Sequence, residues 1–264
     1  GAHFVEIRRG ECMDDDKIKV KSLKKALEIL NCFEEKQPLG VTELSERMGL
    51  YKSNVHNILS TFEAMGYVEK DKDTGKYYLG LGVIRLARSV EDRFSFHAVA
   101  RPLMQQLADR TNETVYITVP MGRCVYYLDA AYPGTSSTLF VGSIRYATGY
   151  MHATSSGKAM LASMPEEALK EYLRHPLEKS TDMTITEPEQ LAAEIEEVRR
   201  RGYATDNMEM DVGINCVGVA IRDRKGDVVG ALSVSGPSPR FYEERLHQIA
   251  DMLKATVREI ECKI

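Results

Sequence analysis

Ser155-Ser156-Gly157-Lys158 has the S-x-x-K spacing of a serine nucleophile beside a lysine base, an arrangement used for acyl transfer. It stands alone, because the chain contains neither an S-D-N nor a K-T-G partner. Cys216, His152 and Asp206 are the residue types of a thiol triad, but no spacing groups them, and a reactive thiolate needs a cationic neighbour. His3, His56, His97, His152, His175 and His247 show no metal-ligand spacing, and Cys12, Cys32, Cys124, Cys216 and Cys262 contain no C-x-x-C pair. No catalysis, metal or cofactor is therefore expected. What the serine cluster can do is bind an anion. Ser155, Ser156 and Gly157 precede a helix expected over Gly157–Ala162, and the free N–H groups and positive dipole end at a helix start receive a carboxylate without an arginine. Plainer readings stay open: the two serines merely cap a helix, and Cys216 is a buried small residue, as most free cysteines are.

The elements around this cluster alternate between helix and strand. Periodicity predicts a helix over Val99–Arg110, strands over Thr114–Pro120 and Arg123–Ala130, and a third strand near Ser137–Val141. Helices follow at Pro165–Leu173 and Pro188–Arg201. Strands at Cys216–Asp223 and Val228–Ser235 are joined through Arg224-Lys225-Gly226-Asp227, and a last helix runs from Tyr242 to about Glu261. The pattern is that of an α+β domain with helices on one or both faces of a sheet. Ile214, Met151 and Val141 are candidates to line an apolar pocket, while Tyr126, Tyr127 and Tyr150 would suit an aromatic ligand or a plain core.

The first third of the chain has a different organisation. A helix with Ser22 as its cap and a stripe of Leu23, Ala26, Leu27, Leu30 and Phe33 precedes a shorter helix, capped by Thr42 with Glu43 in its first turn and stopped at Gly49. The next helix buries Val55, Ile58, Leu59, Phe62 and Met65, ends at Gly66, and turns Lys52, Ser53, Asn54, His56, Asn57 and Ser60 outward. Short hydrogen-bonding side chains with one lysine suit a major groove, where they reach base edges and phosphates. Tyr67-Val68-Glu69-Lys70 and Lys76-Tyr77-Tyr78-Leu79 then pair around Asp73-Thr74-Gly75 as a charged wing. This order is that of a winged helix-turn-helix. Its candidate DNA contacts are Thr42, Tyr51, Lys52, Ser53, Asn54, His56, Asn57 and Lys76. Taken alone, the third helix could equally be a solvated surface helix.

Composition agrees with two domains. The chain has 264 residues, 43% of them hydrophobic, and no apolar run long enough for a membrane span or signal peptide, so a cytoplasmic protein without membrane partners is expected. Residues 17–85 carry 12 Lys and Arg against 9 Asp and Glu, whereas residues 97–264 carry 19 against 23. The basic excess of the first segment favours DNA only weakly, and the overall charge of −4 argues against a nonspecific nucleic-acid coat. Residues 1–17 lack periodicity and read as a tail. Leu81 to Glu91 is apolar on more than one helical face, so it should pack on a partner, most simply its own copy in a dimer that presents two half-sites; docking on the chain's own C-terminal part is the alternative.

Five segments in order resemble transcriptional regulators of the IclR family: Ser22 to Leu30, Lys52 to Asn57, Gly66 to Glu69, His152 to Ala159 and Ala231 to Pro237. The resemblance covers nearly everything after the first twenty or so residues. It implies a winged helix-turn-helix over 18–80, a linker and dimerisation helix over 81–96, and a GAF-like α+β effector-binding domain over 97–264. It further implies operator DNA and a small organic acid as partners, in a dimer or a dimer of dimers. In similar proteins an aspartate, a cysteine and two strand serines help hold the acid, and the matching positions are Asp206, Cys216, Ser233 and Ser235. Ser233 and Ser235, two apart on one strand, face the same side. Where the family commonly has threonine and arginine in the recognition helix, this chain has Asn54 and Asn57, so the operator sequence should differ. The alternative function is a small-molecule binding protein or vestigial enzyme whose winged helix contacts protein.

Overall fold

The computed structural model describes residues 18–91, 94–134 and 148–264, which divide into two compact units at about Ser95. The expected strand near Ser137–Val141, the lining residue Val141 and the tail at 1–17 lie outside the described residues.

In the first unit, α1 (Lys21–Glu35), α2 (Val41–Met48) and α3 (Lys52–Ala64) are followed by β1 (Val68–Lys70), β2 (Tyr77–Leu79) and α4 (Gly82–Glu91). Ile29, Phe33, Leu44, Val55, Leu59, Val68 and Tyr77 meet in one core. Burying these side chains at roughly 1.5–3 kcal/mol each is what holds three short helices together. β1 and β2 pair antiparallel, Val68 opposite Leu79, and Leu39 adds a single bridge to Tyr77 that makes a third edge to the wing.

Three local expectations differ. α1 starts after Val20, which makes no side-chain cap, and Ser22 lies inside the helix. Its buried residues are Ile29, Cys32 and Phe33; of the expected stripe Phe33 is buried and Ala26 and Leu30 are half-buried, while Leu23 and Leu27 are exposed. Thr42 does not cap α2. Gly40 occupies that position, and Glu43 reaches back to accept from the Gly40 N–H at 2.9 Å, so the carboxylate end of a capping box does the work expected of the hydroxyl. Met65, expected in the core, is 56% exposed because α3 stops at Ala64 and the chain turns away.

The second unit contains α5 (Ser95–Thr111), β3 (Thr114–Met121), β4 (Cys124–Ala131), β5 (Thr148–Tyr150), α6 (Ser155–Ser163), α7 (Glu166–Leu173), α8 (Pro188–Arg201), β6 (Ala204–Asn207), β7 (Ile214–Arg222), β8 (Val228–Pro237) and α9 (Glu243–Glu261). Its six strands form one antiparallel sheet in the order β5-β4-β3-β8-β7-β6. The fold is α+β, as expected, with two strands that the sequence pattern did not announce: β5 and β6 span only three and four residues, too few for alternation to show.

Register decides which side chains share a face. Asp206 pairs with Cys216, Cys216 with Ser235 and Ser235 with Thr114, so one row crosses four strands. The row two residues along is Ala204, Gly218, Ser233 and Tyr116, on the same face because the side-chain period is two. Val217, Leu232, Val234, Val115 and Ile117 point the other way and are fully buried. α6 and α8 cover the polar-row face, where Ala159 and Val198 pack with Ala204 and Ala220.

Candidate DNA interface and effector pocket

On α3 the outward residues Lys52, Ser53, Asn54, His56 and Asn57 are all exposed, and Tyr51 immediately before them is 82% exposed. They are held by the opposite face, where Val55 and Leu59 are buried and Ile58 and Phe62 partly so. The wing turn is built by Asp71, whose carboxylate accepts the N–H groups of Asp73 and Thr74 at 2.8 and 2.9 Å. Those bonds hold the Asp71 carboxyl below its usual pKa. Lys76 is committed differently from expectation: its Nζ lies 3.3 Å from Glu43, which also pairs with Lys36 at 2.9 Å. Hydrogen bonds from Lys36, the Gly40 N–H and Lys76 lower the Glu43 pKa to about 2. Thr42 stands exposed in the first turn of α2. Lys72 is exposed in the turn between β1 and β2.

In the second unit Thr154 is the cap of α6; its hydroxyl accepts the Gly157 N–H at 3.1 Å and donates to the Tyr150 carbonyl at 3.0 Å. Ser155 and Ser156 are therefore not caps but the first two helical residues. Both are 1% exposed, and their backbone N–H groups have no hydrogen-bond acceptor among the described residues. Two glycines bring this helix start onto the sheet. A Cβ on Gly218 would lie 2.5 Å from the Ser155 carbonyl carbon, and one on Gly157 would lie 2.3 Å from the Met151 Cα. Gly157 thus serves close packing, its own N–H being spent on Thr154.

Around the helix start stand Asp206, Cys216, Ser233 and Ser235, brought together by the two sheet rows. The Ser235 hydroxyl lies 3.0 Å from the Cys216 sulfur. Asp206 accepts the N–H of Glu209 at 2.7 Å, and burial followed by the charge of Glu209 raises its pKa to about 7. Burial raises the Cys216 thiol well above its usual range, with Asp206 adding to the effect. Cys216 and Tyr127 nonetheless keep accessible surface, as expected of groups that line an internal space. Ile214, at the start of β7, is likewise half-buried on the same face. Met151 packs in a core cluster with Val125, Met160 and Leu161, against which Tyr127 also packs. Tyr150 is buried and stacks on His152 at 5.4 Å between ring centres.

The acyl-transfer and thiol arrangements do not assemble from these residues. Lys158 is 1% exposed and its Nζ lies 2.6 Å from Glu209 Oε1, an ion pair that leaves no free amine for Ser155. Both ring nitrogens of His152 are engaged at 2.9 Å, one with the Tyr172 hydroxyl and one with the Glu178 carbonyl. No group of histidine, cysteine or acidic residues able to hold a metal occurs among the described residues.

Tyr116 was not anticipated. It is fully buried, its ring meets Tyr127 edge-on at 5.4 Å, and its hydroxyl has no hydrogen-bond partner among the described residues. The available signal was the stripe Thr114, Tyr116, Thr118 on one face of an otherwise apolar strand.

Comparison with known proteins gives these two units a common context. Residues 22–72 match the IclR helix-turn-helix domain, and residues 89–262 match the family described as bacterial transcriptional regulator IclR C-terminal. The HTH-type transcriptional regulator BhcR of Paracoccus denitrificans is 33% identical over 255 residues, covering 96% of this chain and 90% of that protein. The HTH-type transcriptional regulator KdgR of Escherichia coli is 31% identical, covering 96% and 95%. The crystal structure of the Thermotoga maritima IclR superposes with a TM-score of 0.76 at 36% identity, over 92% of this chain and 98% of that one. The chain belongs to the IclR family of transcriptional regulators, which bind DNA under the control of a small-molecule effector.

Proposed function

We propose that the effector is a small organic acid and that its carboxylate is received at the start of α6. The supporting observation is the pair of buried N–H groups of Ser155 and Ser156, which have no acceptor among the described residues and stand where the helix dipole also favours negative charge. Asp206, Ile214, Cys216, Ser233 and Ser235 form the rest of the pocket; Gly157 packs α6 against the Met151 backbone, and Gly218 lets the helix start approach the sheet. Operator contact is assigned to Tyr51, Lys52, Ser53, Asn54, His56 and Asn57 on α3, with Thr42 and Lys76 at its margin. Boundaries at 18–80, 81–96 and 97–264 give the DNA-binding, linker and effector-binding segments. A homodimer through the linker supplies two half-sites, supported by the exposure of Leu81, Ile84, Leu86 and Val90.

The effector acts by population shift: it binds one arrangement of the DNA-binding pair better than the other. The direct test uses Ser155→Pro, because proline is tolerated at the first helical position yet lacks the N–H, and Thr154 already has the extended backbone that must precede a proline. In a thermal-shift panel of small carboxylic acids against the full chain, the wild type should gain stability with a subset. Ser155→Pro should bind that subset at least tenfold more weakly, since a hydrogen bond to a charged group contributes about 1.5–3 kcal/mol. Undiminished binding by Ser155→Pro would assign the acid elsewhere.

A further inference from the structure

Tyr116 lies on the face of the sheet that carries Ser233, Ser235, Cys216 and Asp206, and it is paired directly with Ser233. Its ring meets Tyr127 edge-on, and Tyr132, Cys216 and Asp211 are the electrostatic neighbours of its hydroxyl. The phenol therefore belongs to the sheet face on which the start of α6 is seated. Gly218, beneath α6, and Tyr116 are two strands apart, a separation of roughly 10 Å. A buried hydroxyl without a partner costs stability unless something pairs with it, and such groups are rare in folded proteins.

Resting on the carboxylate site at Ser155 and Ser156, we propose that Tyr116 is a specificity-determining residue whose hydroxyl hydrogen-bonds a second polar group on the effector, so that the pocket takes organic acids bearing a hydroxyl or carbonyl distal to the carboxylate. The two ends are chemically distinct. Helix amides hold the anion, and the phenol, on the strand position opposite Ser233 and beside the Tyr127 ring, holds a neutral polar atom. An acid without that atom leaves the phenol unpaired, and a site built to hydrogen-bond a substrate group rejects the analogue lacking it.

The test measures binding of matched acids, 4-hydroxybenzoate against benzoate and 4-hydroxybutyrate against butyrate, to the full chain by titration calorimetry. Wild type should prefer the hydroxylated member of a pair by tenfold or more. Tyr116→Phe should bring that ratio to about one by losing affinity for the hydroxylated acid while keeping affinity for its analogue. Without ligand, Tyr116→Phe should melt no lower than wild type, because the hydroxyl it lacks has no partner among the described residues; a lower midpoint with an unchanged ratio would make the phenol structural and overturn the proposal. An unchanged ratio in Tyr116→Phe overturns the role of Tyr116 alone, whereas unchanged binding by Ser155→Pro overturns the carboxylate site alone. Failure of wild type to bind either member of both pairs overturns the distal-hydroxyl class.

Discussion

Gly218 on β7 lies directly beneath Ser155, so close that a Cβ there would stand 2.5 Å from the Ser155 carbonyl carbon and 2.7 Å from the Ser156 nitrogen. The contact is backbone against backbone, with no flexible side chain to yield. It seats the helix start, whose two amides have no acceptor among the described residues, on the row of Ala204, Gly218 and Ser233, next to that of Asp206, Cys216 and Ser235.

Gly218→Ala should therefore lift α6 from the sheet. Forced overpacking of this kind costs about 1–3 kcal/mol. Urea denaturation should show that loss, and calorimetry should show effector affinity falling with it, because the amides and the row no longer face one space. A variant with wild-type stability and affinity would mean that the contact is softer than its distance implies.

The buried pair of Lys158 and Glu209 should behave as a unit. Lys158→Met leaves Glu209 without its cation, and breaking a buried pair by removing one partner costs about 3–5 kcal/mol. The double variant Lys158→Met with Glu209→Leu should recover most of that loss in denaturant titrations. Additive losses in the two single variants would show instead that the pair is not coupled.

Asp206 gives the protein a pH-dependent term. Its folded pKa, raised to about 7, lies above the usual carboxyl value, so the folded state binds the proton more tightly than the unfolded chain. The protonated carboxyl favours folding at low pH, and this contribution is lost as pH rises from about 4 to about 7, at up to ~1.4 kcal/mol per unit. Asp206→Asn does not titrate. The stability of the wild type relative to this variant should thus decline from pH 5 to pH 7 and level off above. A difference that grows with pH would reverse the sign and show that the carboxylate is stabilised where it lies.

Asn57→Ala and Lys52→Ala test the interface on α3. Both side chains are exposed, so melting temperatures should not change. Removal of a bidentate amide contact should weaken operator binding by about 1–3 kcal/mol and relax base preference at one position, whereas loss of Lys52 should weaken all sequences alike and reduce the salt slope by about one. Mobility shifts across a salt series distinguish the two. Equal binding by wild type and both variants would favour a winged helix that contacts protein.

The linker can be probed separately. Ile84→Glu and Leu86→Glu place charges on exposed apolar positions of α4. If α4 pairs with its copy, sedimentation should show dissociation toward monomers while the far-ultraviolet spectrum is kept. A species of unchanged mass would place the oligomer contact elsewhere.

Much of the fold was legible because it is local. The 3.6-residue period marks α3 through Val55 and Leu59, Gly49 and Gly66 mark helix ends, and alternation marks β3, β7 and β8. Where local signals compete, the chain chose otherwise. Ile29 and Cys32 displaced Leu23 and Leu27 from the core, and Gly40, with the Glu43 carboxylate on its N–H, replaced Thr42 as the cap of α2. Such choices depend on which neighbour a face meets, which propensity does not encode.

The pocket divides along the same line. Ser155, Ser156 and Gly157 are contiguous, so their place at a helix start was determined by the sequence itself. Asp206, Cys216 and Ser235 come from three strands and meet only through a register in which each stands opposite the next. Side-chain direction in a sheet reverses with a one-residue shift, so no single strand specifies that row. The same register turns Tyr116 inward, and only the tertiary structure reveals that its hydroxyl is left without a partner among the described residues. Periodicity and caps are properties of a segment, whereas burial and pairing across strands are properties of the folded whole.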